Sequence, residues 1–417
     1  TLNPEPRRAG GMHYTSIENI HKVIDPLFLD DLKAQLANSI YMELNNRGSK
    51  RRNFLLNLQK KLSEIKIFDP ACGSGNFLTE SYISLRRIEN QILKLLFGSQ
   101  IQLGELSNPI KVSISQFYGV EINDFAVAVA QTALWIAELQ MIQETQAIIH
   151  RDLDFLPLKS YSNIVEGNSL QLDWQKLVGT RNKELGTSDK QENSELVPSS
   201  YLQVPIYVIG NPPFVGFTYQ SPAQKADMQK IFPKIKNLDY VAAWYKKAAD
   251  FMTNSHARAS FVATNSISQG ETVTRLWKNL FDAQNHIDFA HRTFIWDSES
   301  TQKAHVHCVI IGFSIGESSK QPRIFDKDGE TLASHINGYI IDADDVFIEN
   351  RSNPLCSVPS MTTGNRPADG GNLIIEAKDY DDFIAAEPEA ARFIKKLVGS
   401  EEFINNKKRY YLWLVGV

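Results

Sequence analysis

The stretch "IKIFDPACGSGNFL" (residues 65–78) decides how this chain folds. A short apolar run, 65–69, ends on the acid Asp69 and breaks at Pro70 into small residues, with Gly73 and Gly75 flanking Ser74. Glycine admits positive φ and lets a ligand reach the backbone with no Cβ in the way. An apolar-periodic run over 76–97 follows and predicts a helix. Strand, glycine turn and helix form the opening unit of a doubly wound sheet, whose ligands sit beyond the carboxyl ends of the strands.

The rhythm then repeats. "QFYGVEI" (116–122) predicts a second strand and 124–144 a helix; "SNIVEGNSL" (162–170) and "IYVIG" (206–210) predict the third and fourth strands. A helix over 238–252 leads to a fifth strand, "ASFVATNS" (259–266), and 287–296 with 304–314 reads as a closing antiparallel hairpin at the sheet edge. Strands alternating with helices predict an α/β fold, a doubly wound and mostly parallel sheet. Residues 17–62 read as helices, the polar stretch 180–200 as a surface insertion, and "GNRPADGGN" (364–372) as loop. Past Phe325 the rhythm breaks. The expected domains are a helical segment 1–62, a catalytic domain 63–320 and the start of a further domain, 321–417.

A chain of 417 residues exceeds one typical core. No run reaches the roughly 18 uninterrupted apolar residues of a membrane span. The nearest, 125–139, is broken by Gln131, Thr132 and Glu138, so a buried or amphipathic helix is expected and no membrane partner. Thr1 opens without a signal pattern and "YYLWLVGV" closes without a polar tail, so a piece of a longer polypeptide is expected. Cys72, Cys308 and Cys356 are odd in number and far apart, which points to a reducing, cytoplasmic setting. The net charge of −4 gives no global basic bias, so nucleic acid would be held by local patches such as "RGSKRRN" (47–53) or "NNKKRYY" (405–411).

At the first corner the third glycine of a dinucleotide fingerprint is replaced by Leu78, and Asp69 favours an amine-bearing ligand over a phosphate. S-adenosylmethionine fits these terms, with its ribose, ammonium and sulfonium and no phosphate. Glu121, ending the second strand, is placed to take ribose hydroxyls. At the second corner, "YVIGNPPFVG" (207–216), Pro212 and Pro213 lock two φ angles and hold Asn211 rigidly. The Asn211 side-chain oxygen and the Pro212 carbonyl would then accept the two hydrogens of an exocyclic amine. Charge forming on that nitrogen would be stabilised, and Phe214 would offer a face for a planar base.

Together these residues resemble the amino-methyltransferase family that modifies adenine N6 in DNA, over residues 10–320. The resemblance implies a class I S-adenosylmethionine-dependent, Rossmann-like fold. It implies cofactor binding by Asp69, Ala71, Gly73, Gly75 and Glu121, and catalysis by Asn211, Pro212, Pro213 and Phe214, with Asn211 also reaching the cofactor. "GMHYTS" (11–16) is similar to the family's N-terminal cofactor-contacting segment and brings in Tyr14 and Thr15. Where relatives carry an acid reading the cofactor's adenine amine, this chain has Asn168, whose amide oxygen can still accept. Relatives clamp the extruded base with a second aromatic, here assigned to Phe294 with Trp296 as the other choice. Core packing explains either ring equally well.

The motif order resembles the gamma-like group, with its recognition domain at the C-terminus. The flanks "FAHRTFIWDSES" (289–300), "KAHVHCVIIGFS" (303–314) and "LVGSEEFINNKKRYYLWL" (397–414) resemble MmeI-like single-chain type IIL restriction–modification enzymes. That resemblance implies double-stranded DNA as partner, base flipping, and a nuclease domain elsewhere in the full-length chain. Two other readings stay open: an amino-methyltransferase acting on RNA bases or protein glutamine, and an inactive DNA-binding specificity module. Asp369, Glu376 and Lys378 in "ADGGNLIIEAK" (368–378) mimic a nuclease core, but such spacings are common and this one falls where the recognition domain should start. His305 with His307 could form a metal pair, but no further ligand pair has suitable spacing. No metal is expected.

Overall fold

A computed structural model describes residues 15–44, 48–97, 109–150, 163–179, 205–296 apart from 254 and 256, 306–316, 320–349, 351, 353, 356–359 and 369–414. The chain divides into two compact units, Thr1–Asn350 and Arg351–Val417.

In the first unit nine strands form one sheet: β1 (Lys66–Asp69), β2 (Phe117–Glu121), β3 (Ile164–Glu166), β4 (Ile206–Gly210), β5 (Arg258–Thr264), β6 (Asn285–Trp296), β7 (Val306–Ile315), β8 (Arg323–Asp326) and β9 (Gly329–Leu332). Their order is β3-β2-β1-β4-β5-β7-β6-β8-β9. The first five strands run parallel, and β7 is antiparallel to both β5 and β6. The chain winds outward from β1 to β3 and then returns to lay β4 against the other side of β1. That reversal of strand order opens a crevice between neighbouring crossovers, where α/β sheets hold ligands. Both motif corners lie there, the glycine turn after β1 and the NPPF tetrad after β4.

Alternation along each strand sends successive side chains to opposite faces. Phe68, Val208 and Phe261 enter an apolar cluster with the helix Ala242–Met252 and Trp277. Their neighbours Ile67, Ile209 and Val262 enter a second cluster. That cluster is covered by the helices Ile17–Ile24, Gly48–Glu64 and Asn76–Phe97. The central strands are thus buried on both faces, which is why they read as unbroken apolar runs. The helix Asp124–Ile149 turns Ala126, Ala130, Leu134, Ala137 and Met141 inward. By length and composition this helix could cross a membrane; here it packs along one side against β2, β3 and the helix Asn76–Phe97.

On the helix Asn76–Phe97, Arg86 and Glu89 form an ion pair with both side chains fully buried. Arg86 Nη2 donates to Thr145 Oγ1 (2.7 Å), while Glu89 Oε1 accepts from Gln59 Nε2 (2.8 Å) and the Lys111 N–H (2.6 Å). Most of the pair's remaining groups are matched in this way, as a buried pair requires, although Arg86 Nε has no hydrogen-bond partner among the described residues.

Three expectations need correction. The closing hairpin β6–β7 is antiparallel but is not the sheet edge, because β8 pairs in parallel with β6 (Ala290↔Ile324) and β9 lies outside it. The boundary placed at 320 therefore falls ahead of two strands of the sheet, and the first compact unit continues to residue 350. The helices of 1–62 are also not separate: Ile20, Leu27 and Leu58 belong to the same cluster as Ile67. The expected insertion 180–200 lies outside the described residues.

The second unit holds an antiparallel sheet, β10 (Ile374–Glu376), β11 (Ile394–Leu397) and β12 (Arg409–Leu412), in the order β10-β12-β11. Arg409 ties it together through Glu376, Glu401 and Glu402. The nuclease mimic is absorbed into this framework: Asp369 Oδ2 caps the Leu373 N–H and Glu376 pairs within β10.

Candidate functional site

The first corner is pinned through its backbone. Gly73 (φ +52°) and Gly75 (φ +82°) occupy the left-handed region that other residues avoid. A Cβ on Gly75 would stand 2.9 Å from the Ala130 Cβ, whereas one on Gly73 would meet nothing within 4 Å. The turn is therefore wedged tightly against its neighbouring helix at one glycine and open at the other. Glu121 Oε2 accepts the Gly73 N–H (3.0 Å), and its Oε1 accepts the Ile122 and Asn123 N–H groups (2.8 and 3.0 Å). That fan of amides fixes the carboxylate at the end of β2.

Asp69 is buried, and its Oδ1 accepts the Ala71 N–H at 3.0 Å. Its Oδ2 is buried with no hydrogen-bond partner among the described residues. Burial pushes this carboxyl up to about 8; the Ala71 N–H pulls the other way and the nearby Glu121 charge adds to the rise. Burying a carboxylate without compensation is costly enough that the group takes up a proton instead. A cationic ligand beside it would reverse that preference.

Sequence reasoning missed how the corners touch. A Cβ on Gly210, the last residue of β4, would lie 2.6 Å from Asp69 Oδ1. Only glycine at this position lets the carboxylate lean across the strand boundary.

The second corner is pinned by rings. Pro212 is buried, while Asn211, Pro213 and Phe214 are half-buried. Asn211 Oδ1 is buried and has no hydrogen-bond partner among the described residues. Phe214 packs partly against both apolar clusters, at the seam between the two faces of the sheet. Behind it, Tyr240 N–H donates to the Val215 carbonyl (2.9 Å) and Phe217 N–H to Asp239 Oδ1 (3.1 Å).

At the end of β3 the geometry recasts Asn168. Its Oδ1 accepts the Leu170 N–H (3.0 Å) and its Nδ2 donates to Asp227 Oδ2 (2.8 Å). Asp227, on the helix Pro222–Ile231, is buried and also accepts from Gln171 Nε2 (2.9 Å) and the Tyr240 hydroxyl (3.1 Å). The acid at this end of the sheet thus arrives from a helix after β4 rather than from β3. Its signal in the sequence was being the lone acid of "QKADMQKIFPKIK" (224–236). Lys247 secures the same loop by donating to the Ser169, Leu170 and Leu172 carbonyls (2.8, 2.8 and 2.6 Å). Burial lowers that ammonium to about 8.

Thr15 is buried just ahead of the helix Ile17–Ile24; Tyr14 lies outside the described residues. Phe294 sits half-buried on β6 with the Lys22 Nζ 4.9 Å from its ring centroid. One face of Phe294 is thus taken by a cation from the N-terminal helix, while the alternative, Trp296, is described only through its backbone pairing with Val306. Nearby His291 is lowered to about 4, chiefly by burial and then by the Lys22 charge. His305 lies outside the described residues and His307 is exposed; no group of three or more metal-ligating side chains occurs among the described residues.

Comparison with known proteins bears on both units. The family described as MmeI, DNA-methyltransferase domain matches residues 44–326, and that described as MmeI, target recognition domain matches residues 342–416. DNA methyltransferase A of Bacillus subtilis (strain 168) is 38% identical over 414 residues, 98% of this chain and 44% of that protein. The adenine-specific methyltransferase PglX of Streptomyces coelicolor is 23% identical over 239 residues, 52% of this chain and 18% of that one. The solved structure of the Type IIL restriction-modification enzyme MmeI in complex with DNA has a TM-score of 0.84 at 37% identity, covering 100% of this chain and 53% of that one. The chain spans about half the length of the first two of these relatives that it matches almost end to end.

Proposed function

This chain belongs to the MmeI DNA-methyltransferase family, and from that premise we propose that it methylates the N6 amine of adenine in duplex DNA, with S-adenosylmethionine as donor. The adenine is read as flipped out of the helix, and the chain as the modification part of a longer restriction–modification protein that also carries a nuclease domain. The name of the PglX relative, adenine-specific, and the DNA complex of MmeI support this choice of acceptor.

The first corner fits the proposed cofactor. Open space at Gly73, an unpartnered buried oxygen on Asp69 and the oriented Glu121 suit, in turn, a ligand near the backbone, an ammonium and a pair of hydroxyls. Tyr14 and Thr15 would contribute from the N-terminal segment. S-adenosylmethionine supplies an electrophilic methyl group whose carrier leaves as a neutral thioether. Asp69 would give up its proton as the cation arrives.

At the second corner, Asn211 Oδ1 and the Pro212 carbonyl accept the two N–H groups of the adenine amine. An aromatic amine is a poor nucleophile because its lone pair spreads into the ring. Two fixed acceptors draw the nitrogen toward tetrahedral geometry and stabilise positive charge there, and rigid acceptors need no reorganisation during reaction. Phe214 stacks on the base. No strong general base is required, since N6 becomes acidic as the new bond forms and its proton can leave by way of these acceptors.

One observation carries the proposal: a buried amide oxygen with no partner among the described residues, just after β4, next to the corner where a carboxyl oxygen of Asp69 is likewise buried and unpartnered among them. Tritiated methyl transfer to duplex DNA tests it, with nucleoside analysis of the product. Label in N6-methyladenine for the parent and none for Asn211→Ala is the expected result. Transfer to tRNA or a protein glutamine but not to DNA would replace the acceptor, and no transfer by the full-length protein would leave only a specificity module.

A further inference from the structure

Resting on the DNA reading above, we propose that the excursion 217–236 is the surface that grips the phosphate backbone beside the extruded base. It leaves the catalytic corner three residues after Phe214 and returns to it. Both ends are fastened: Phe217 N–H donates to Asp239 Oδ1 (3.1 Å), Gln220 Nε2 to the Leu238 carbonyl (2.8 Å) and Tyr240 N–H to the Val215 carbonyl (2.9 Å). Ser266 Oγ holds the other oxygen of Asp239 at 2.7 Å, which anchors the base of the excursion to the segment after β5. The surface therefore stands at a fixed position relative to Asn211.

Its inner side is Asp227, Met228 and Phe232, all buried. Its outer side carries Lys225, Lys230, Lys234 and Lys236, all exposed and with no acidic partner among the described residues. Lys246 and Lys278, by contrast, pair with Asp250 and Asp282 four residues along their helices. The two acids within 217–240, Asp227 and Asp239, are turned inward and spent on hydrogen bonds. Four cations thus face water with no anion between them, in a chain whose net charge is −4. Such an imbalance, on an excursion that springs from the catalytic corner and is fastened back to it, attracts a dense polyanion. Duplex DNA, with one negative charge per about 1.7 Å of axis, is that partner. Lysines are flexible point charges rather than bidentate forks, so they suit phosphates and read no base.

The test uses the full-length protein with Lys225→Gln, Lys230→Gln, Lys234→Gln and Lys236→Gln combined. Duplex affinity is measured across salt concentrations, with Lys60→Gln/Lys61→Gln on the helix Gly48–Glu64 as the charge control. Each lysine that neutralises a phosphate contributes about 0.9 to the slope of log affinity against log salt. The expected loss is a slope smaller by about 2 to 4 and affinity weakened roughly ten- to a hundredfold, equally for cognate and unrelated duplexes. S-adenosylmethionine affinity should not change, and this also reports intact folding. If cofactor binding is lost, the pair Lys230→Gln/Lys236→Gln replaces the set and should give about half the slope change. An unchanged slope in a protein that still methylates DNA overturns the inference while leaving the methyltransferase reading intact, and so does an equal loss in the control. A parent that transfers methyl groups only to RNA or protein overturns both.

Discussion

The two corners of the site end neighbouring strands, and each holds a buried oxygen with no partner among the described residues, yet they are stiffened by opposite means. At the glycine corner the backbone is free to bend, and carboxylates tie it down: Asp69 holds Ala71, and Glu121 holds Gly73. At the NPPF corner Pro212 and Pro213 restrict the backbone, and the acceptor Asn211 Oδ1 has no hydrogen-bond partner among the described residues. The proposed function accounts for the difference: a flexible, charged ligand would be met by a loop that hydrogen bonds shape, and a reacting nitrogen by groups that cannot relax toward it. Substitutions at the first corner should therefore act on cofactor affinity, and those at the second on turnover.

The largest effect expected is at the second corner. Asn211→Ala should lower kcat for methyl transfer by about a hundred- to a thousandfold, with cofactor affinity within threefold of the parent by calorimetry. A loss of cofactor binding instead would erase the division of labour between the corners.

Asp69→Asn comes next and should weaken S-adenosylmethionine binding by roughly ten- to a hundredfold, the worth of a charge-assisted contact. It also carries a pH signature. The Asp69 carboxyl is raised to about 8 in the free protein, so cofactor affinity should climb as pH rises toward 8 and then level off. The variant should lose that climb. Linkage gives the opposite sign for stability: the unfolded chain ionises this acid near about 3.9, while the fold retains the proton until about 8. Stability from this group therefore falls as pH rises between those values, and urea unfolding of Asp69→Asn should show a shallower decline.

Phe214→Ala should remove a stacking face worth about 1–3 kcal/mol per base, seen as a higher KM for DNA and slower turnover with cofactor binding intact. The smallest effect is expected for Phe294→Ala, because one face of that ring is already covered by the Lys22 ammonium. A drop in turnover as large as that of Phe214→Ala would show that the other face holds the base and that the clamp has two jaws.

The parts of this design that depend on neighbours in sequence were legible from the residues alone. β4 was read at its observed bounds because "IYVIG" is apolar throughout, as a strand buried on both faces must be. The glycine turn and the proline pair announce their conformations by residue type. β8 and β9 were not legible: they are four residues each, and all of β9 is exposed, so neither apolar periodicity nor length marks them. Asp227 was opaque for another reason. Its partners Asn168 and Gln171 lie more than fifty positions earlier, and only the folded sheet brings them together. Asn168 looked available to a ligand because its Nδ2 is engaged by Asp227, 59 positions away, while its Oδ1 takes the Leu170 N–H two residues on.

The bare Cα of Gly210 has a consequence for how this protein can change. Any side chain there would press on Asp69 Oδ1, so a change at Gly210 is tied to what stands at position 69, whereas Asp69 can be changed on its own. Gly210→Ala should be damaging on its own and only partly relieved beside Asp69→Ala, because φ of +155° strains any side chain there even once the carboxylate is gone; a double-mutant cycle reads the part that is relieved. The last residue of β4 is thereby bound to the carboxylate at the end of β1, a hereditary constraint that runs in one direction only.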